Sequence, residues 1–420
     1  MRLVTLLILF LFAPTVSAFL PSSEEDYYRV IMIDGKELAS TLGKALDKLS
    51  LFSVIDGVLE PVPFQIDEYN IGGGVFFEEW QEPIDGTRGI MDDNDKLIAL
   101  YGDSGPRKTP TMLVDGDILA EIELQTRDGA KRYFYVVEGS RLTFDAQHVR
   151  HSLAASRVET DFFSLTYDKE NQLIWKDFRF ADFQGESPVD GLKIAFESGV
   201  LSSTNTLKYD NENFIAKTIA ENVGPIRTTA QLHLTFVLLG LDFIEASIQL
   251  HFYPNALIYD VRLIMPETRR AMLVNPQLTM SIDFNNLIGA RGYTDALAQP
   301  LVVDGTMSDR EQEANNIVLS QSHNGLVLQS DKGFAIATFL NWIHEIEADT
   351  TLYYLDDPEF SGKVDRFKGR LPDAGYRVTN LPKTGLLGFI ASIYFSNSFQ
   401  GKPYELSRVL RAVPDIKINY

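Results

Sequence analysis

The chain has no cysteine in 420 residues. That excludes disulfides, a cysteine-linked lipid anchor and a haem attachment motif. Small secreted domains lean on disulfides because their cores are small, whereas a chain this long can bury a large core. Basic residues are also scarce: 38 Lys and Arg stand against 58 Asp and Glu, for a net charge of −20. Such a surface repels phosphates, so nucleic acid is not an expected partner, and anionic lipid is disfavoured for the same reason. Beyond the first residues no apolar run approaches a membrane span. The longest, Phe236 to Leu241, is strand-sized, so no transmembrane insertion is expected. A nucleophile elbow, a phosphate loop and a dinucleotide fingerprint are all missing.

The N-terminus has the three parts of a secretory signal. Arg2 is the basic region, Leu3 to Phe12 is apolar but for Thr5, and Val16-Ser17-Ala18 supplies small residues for cleavage. The apolar run is shorter than the roughly 20 residues that a spanning helix needs. Residues 1–18 are therefore expected to be a signal peptide removed after Ala18, and losing Arg2 takes the net charge from −20 to −21. Export without cysteine points to a bacterial envelope, with the protein periplasmic or secreted.

The pattern predicts a mainly β protein: a smaller N-terminal β domain over 19–145, then a large antiparallel β-sandwich over 146–420, with few short helices. Tyr27 to Ile33 alternates as a strand, and Leu38, Leu42, Leu46 and Leu49 predict a helix over Glu37 to Ser50. Val58 to Asp67, broken by Pro61 and Pro63, suits an extended edge. Leu97 to Leu100, Ile118 to Leu124, Arg132 to Val137, Phe162 to Tyr167 and Leu173 to Phe180 follow as strands, with Arg127-Asp128-Gly129 as one hairpin turn. From Gly224 to Phe284 the alternation is most regular and predicts a meander of four strands, greasy on one face and polar on the other. Hairpins are expected at Leu326 to Leu340 and Leu386 to Phe395, and a terminal helix at Leu406 to Val413. Many short strands with frequent turns predict a sandwich.

The polar face of the meander is the first candidate site. Thr229, Gln231, His233, Thr235, Ser247, Gln249, His251, Tyr253, Gln277, Thr279 and Ser281 are uncharged hydrogen-bonding residues, suited to a glycan. The same residues also suit a face covered by another layer of the protein. A turn near Leu241 or Asp242 would bring His233 and His251 close enough for acid–base work or a metal. Arg227, at the entrance to the same face, would neutralise a substrate carboxylate. The second candidate is Asp92-Asp93-Asn94-Asp95, whose spaced oxygens suit calcium through Asp92, Asn94 and Asp95. A capped turn explains that cluster equally well. The third joins Trp342, His344, Glu345 and Glu347 to Tyr353, Tyr354, Asp356 and Asp357, where rings beside carboxylates suit a sugar subsite.

Two stretches carry a resemblance. Gly224-Pro225-Ile226-Arg227, the Phe252-Tyr253-Pro254-Asn255 turn and Asp283-Phe284-Asn285-Asn286 together resemble the large β-sandwich domains of the galactose-mutarotase-like class, found in polysaccharide lyases including rhamnogalacturonan lyase-like proteins. Pro61-Val62-Pro63-Phe64-Gln65-Ile66-Asp67, with Asp92 to Leu100, is similar to the N-terminal region of exported bacterial proteins of uncharacterised function. The class implies a sandwich whose concave face handles glycans. A lyase of this kind would use His233 or His251 to abstract a proton, Arg227 on the uronic carboxylate and Tyr253 as acid, with Gln231, Gln249, Gln277 and Trp342 binding substrate. The expected function is recognition or processing of an envelope glycan. The alternative is a non-catalytic envelope protein that joins a protein partner through its sheet faces or edges.

Overall fold

The structure is a computed structural model. It describes residues 24–80, 82–126, 129–139, 146–180, 185–204, 206–238, 241–344, 346, 348–359, 371–382, 385–397 and 402–420. The expected signal peptide, the turn residues Arg127 and Asp128, and Glu345 and Glu347 lie outside these.

The protein is mainly β and antiparallel throughout the described residues. The largest sheet has nine strands, in the order Phe214–Val223, Thr228–Leu238, Leu241–Tyr253, Ala256–Met265, Gly385–Ser396, Ala335–Trp342, Leu326–Gln329, Arg291–Thr294 and Leu301–Val302. Facing it is a sheet of Thr206–Tyr209, Val189–Val200, Leu273–Phe284, Asp373–Thr379 and Asp349–Leu355. Their inward rows, such as Ala230, Leu232 and Phe236 against Phe196, Ile282 and Tyr376, share one apolar core. A four-stranded sheet over 149–180 extends that core, packing Phe163, Phe178 and Phe180 around Phe395 at tilted and edge-on angles.

The N-terminal part is layered differently. The strands Val30–Asp34, Lys96–Leu100 and Gln65–Asp67 form a small central sheet. Its Ile31, Ile33, Leu97 and Ala99 pack with Ile122, Leu124, Phe134 and Val136 of a five-stranded sheet behind it. On its other face Ile98 and Leu100 meet Ile226 of the sandwich. Both faces are covered, which is why Leu97 to Leu100 is a continuous apolar run rather than an alternating one. The final strand, Asp415–Asn419, returns to pair with Asp117–Gln125 at the edge of the five-stranded sheet.

Three expected elements are corrected. The predicted helix over 37–50 is three short 3-10 turns and the start of the strand Leu49–Ile55. Gly43 sits at φ +76°, and backbone bonds from Gly43 to Met91, Met91 to Lys44 and Leu46 to Gly89 replace the helical ladder. Leu38 and Leu49 still reach the core and Leu46 packs against it, but from turns and a strand, while Leu42 stays exposed. Leu273–Phe284 does not extend the meander: Ala256–Met265 pairs with Gly385–Ser396, and Leu273–Phe284 crosses to the facing sheet. Gly385–Ser396 is itself one strand, not a hairpin. The terminal helix is present as Pro403–Arg411, with proline at its first turn, where the missing N–H costs nothing.

Candidate functional site

The polar face of the large sheet is real, but its half from Thr229 and Gln231 to Gln249, His251 and Tyr253 is enclosed. Thr229 pairs with His251, Gln231 with Gln249 and His233 with Ser247 across the hairpin. His233 and His251 therefore stand four residues apart along the strands, about 13 Å, which corrects the expectation that the turn brings them together. Over this face lies the segment 65–77. Gln65 Oε1 accepts from the backbone N–H of Ile226 at 3.0 Å and of Arg227 at 2.7 Å. Asp67 Oδ2 accepts from Arg227 Nε at 3.0 Å and also from Nη2. Arg227 Nη1 donates to the Tyr253 hydroxyl at 3.0 Å. Further along, Val75 N–H donates to Gln249 Oε1 at 2.9 Å while Gln249 Nε2 donates back to the Val75 carbonyl at 3.0 Å. Gln231 and Thr229 complete the row through Gln249 and His251.

Electrostatics follow from that enclosure. Arg227 is 2% exposed, and Gln231, Gln249, His251 and Tyr253 are all buried. Burial disfavours the charge of Arg227, but Tyr253, Asp67 and Tyr69 outweigh it and hold the guanidinium above its ordinary range. Burial, with Arg227 and Arg262 nearby, holds His251 well below its usual value, so it stays neutral. His233 is half-buried at the far end. The arrangement satisfies its polar groups internally and pins the N-terminal part to the sandwich.

The remaining expected site residues part company. Asp92 Oδ1 accepts from Asn94 N–H at 2.9 Å, Asp95 Oδ2 accepts from Asp92 N–H at 2.9 Å, and Asn94 Nδ2 donates to Asp85. The calcium candidate is thus organised as a self-capped turn. No group of three or more His, Cys, Asp or Glu among the described residues is arranged to hold a metal ion. Burial raises Asp95 to about 7. Trp342 packs on Phe389 and its Nε1 donates to Thr350 Oγ1 at 3.1 Å. Tyr354 and Asp356 face inward and are buried, the latter accepting from the N–H of Asp304 and Gly305. Tyr353 reaches the outer side of the facing sheet.

That outer side holds a second polar constellation. Register places Lys193, Ser281, Gly375 and Tyr353 on one rung, Ala195, Thr279, Arg377 and Thr351 on the next, and Asp283 opposite Asp373 on the other side. Lys193 Nζ lies 2.7 Å from Asp283 Oδ2 and 3.7 Å from Asp373 Oδ2. Gly375 contributes no side chain between Ser281 and Tyr353, and the Arg377 guanidinium lies 5.2 Å from the Tyr353 ring centre. Burial first, then Asp373, pushes the Tyr353 hydroxyl above its usual range, so it stays a donor. Gln277 belongs here, opposite Glu197, and not with Gln231 and Gln249. Gln277, Thr279, Thr351, Tyr353 and Arg377 are half-buried. Sequence reasoning placed Gln277, Thr279 and Ser281 on a polar face but missed Lys193, Asp373 and Arg377. Only the sheet order brings strands from 189–200 and 373–379 to either side of 273–284.

No family model and no curated protein matches the sequence. Among solved structures, the chain is similar to a protein in the glycosyl hydrolase family 38 from Enterococcus faecalis, at 10% identity and TM-score 0.48, covering 94% of this chain and 46% of that one. It is similar to an alpha-mannosidase from Enterococcus faecalis V583 at the same identity and TM-score, covering 45% of that chain. A third likeness, to the alpha-N-acetylgalactosaminidase NagBb from Bifidobacterium bifidum, has 8% identity and TM-score 0.38 over 57% of this chain and 36% of that one. The chain spans less than half the length of each of these structures. At such identity no residue role passes from them to this chain.

Proposed function

We propose that this chain is an exported protein of the bacterial envelope that recognises a glycan through the outer face of the facing sheet. The observation that supports this reading best is the half-buried polar row of Gln277, Thr279, Thr351 and Arg377 around the Tyr353 ring. Asp283 and Asp373 are buried and hold Lys193 in place behind the face, the half-buried ring offers a stacking plane, and Gln277, Thr279, Thr351 and Arg377 add half-buried hydrogen-bonding groups along the same sheet. The reading is one of recognition. It sets aside the lyase roles expected of Arg227, His251 and Tyr253, because segment 65–77 encloses all three. Export rests on the apolar run Leu3 to Phe12 and the small residues before Phe19.

Affinity electrophoresis through gels containing neutral and uronic-acid polysaccharides tests the proposal. At least one polymer should retard the protein, and Tyr353→Ala should abolish the retardation while the fold is kept. Unretarded migration across the whole panel would sink it. For export, the protein recovered from the periplasm or medium should begin at Phe19.

A further inference from the structure

Between the two sheets of the sandwich the core is incompletely filled. A cavity of about 160 Å³ runs there, lined by described residues and almost wholly apolar. Its cause is in the sequence: Ala246 and Ala391 on the large sheet and Ala374 on the facing sheet turn inward where larger side chains would meet. Packed interiors leave few voids larger than a water molecule. An apolar void of about 150 Å³ stays dry and takes up benzene, so this one has room for about six to eight carbon atoms.

Shape narrows the occupant. The lining comes from six consecutive strands of the large sheet, from Phe214 on Phe214–Val223 to Thr338 on Ala335–Trp342. Neighbouring strands are about 4.8 Å apart, so the lining extends roughly 24 Å across. So small a volume within so wide a lining favours a slender occupant over a compact one. One end is reachable: Leu234, Leu263, Leu278 and Met280 line the cavity and are only half-buried, whereas Ala374 is buried deep inside. We infer that the inter-sheet cavity is a binding site for an unbranched alkyl chain, entering past Leu278 and Met280 and ending against Ala374 and Ala391. The site stands independently of the glycan reading. The two would coexist in a ligand carrying both sugar and alkyl parts, but neither requires the other.

The test uses the full chain with 1-octanol and benzene as probes. Calorimetry should show saturable binding of 1-octanol at one site and weaker binding of benzene. With ¹³C-methyl methionine, 1-octanol should shift the Met280 resonance, assigned by Met280→Leu, and leave the other methionines in place. Ala391→Leu and Ala374→Leu fill the cavity from opposite sheets, and each should weaken 1-octanol binding at least about tenfold. Absence of saturable 1-octanol binding, or a Met280 resonance that does not move, overturns the site. Undiminished binding in a folded, filled variant does the same. Benzene binding with 1-octanol excluded overturns the assignment to a chain. If both variants fail to fold, the Met280 resonance of the unaltered protein decides alone.

Discussion

Asp67 and Arg227, 160 residues apart in the chain, meet as a fully enclosed ion pair in which one carboxylate oxygen takes both Nε and Nη2 of the guanidinium. Tyr253 and Tyr69 complete the shell of the arginine. Removing one partner of a buried pair leaves the other charge without compensation, at a cost of about 3–5 kcal/mol, whereas replacing both by apolar groups is often neutral. Arg227→Met should therefore lower the unfolding free energy by about 3–5 kcal/mol. The double variant Asp67→Leu/Arg227→Met should recover most of that loss. Urea unfolding of the single and double variants checks the coupling. Equal costs that simply add would show that the pair does not hold the two parts together.

Gly224 makes a related prediction about the same contact. A Cβ at this position would overlap the side-chain amide of Gln65, which accepts from two backbone N–H groups just beyond it. Gly224→Ala should expel Gln65 and leave buried donors unsatisfied, at about 1–3 kcal/mol for each group stranded. Gln65→Ala should cost a similar amount by the same route. Combined, the two substitutions should cost little more than either alone, because both remove one interaction. Thermal or urea unfolding of the three variants decides this.

These contacts show which parts of the sequence were readable. The alternation in 226–253 gave the strands, the faces and the turn at Pro254-Asn255, because one side of the sheet is core and period two follows from the pleat. Gly224 to Arg227 and Pro61 to Asp67 stood out as separate motifs, yet nothing local says that they touch, since a contact across 160 residues leaves no periodic trace. The same reason hid Lys193 and Asp373, which join Asp283 only through the crossover order of the facing sheet. Residues 37–50 were misread in the opposite sense. The backbone of Gly43, Lys44 and Leu46 pairs with residues 89–91 instead of forming a helical ladder, and tertiary contact overrides the weak propensity of the spaced leucines.

On the facing sheet, the proposed glycan face makes its own quantitative claim. Tyr353 and Arg377 lie side by side, and aromatic and arginine side chains at the centre of a contact carry a large share of binding energy. Tyr353→Ala should weaken affinity for the retarding polysaccharide by about tenfold or more, equivalent to about 1.4 kcal/mol. Asp373→Asn keeps the shape but removes a charge from beside Lys193, and should weaken binding by a smaller factor. Titration of a defined oligosaccharide, followed by calorimetry, measures both. An affinity unchanged in Tyr353→Ala would move the binding face elsewhere.

The last prediction concerns pH. Asp95 is buried, and that burial raises its carboxyl to about 7 in the folded protein, against about 3.9 in an unfolded chain. Between those values the folded state binds a proton that the unfolded state has already released, so unfolding becomes easier as pH rises. The Asp95 contribution should therefore favour folding at pH 4, decline steadily toward pH 7 and be flat above it. Asp95→Asn keeps an oxygen to accept from Asp92 N–H but has no proton to release. Its unfolding free energy, measured in urea from pH 4 to pH 8, should equal or exceed that of the parent protein at pH 8. The advantage over the parent should shrink as pH falls to 4. Parallel pH profiles for the two proteins would mean that Asp95 titrates alike in the folded and unfolded states, and that burial at this turn leaves its ionisation untouched.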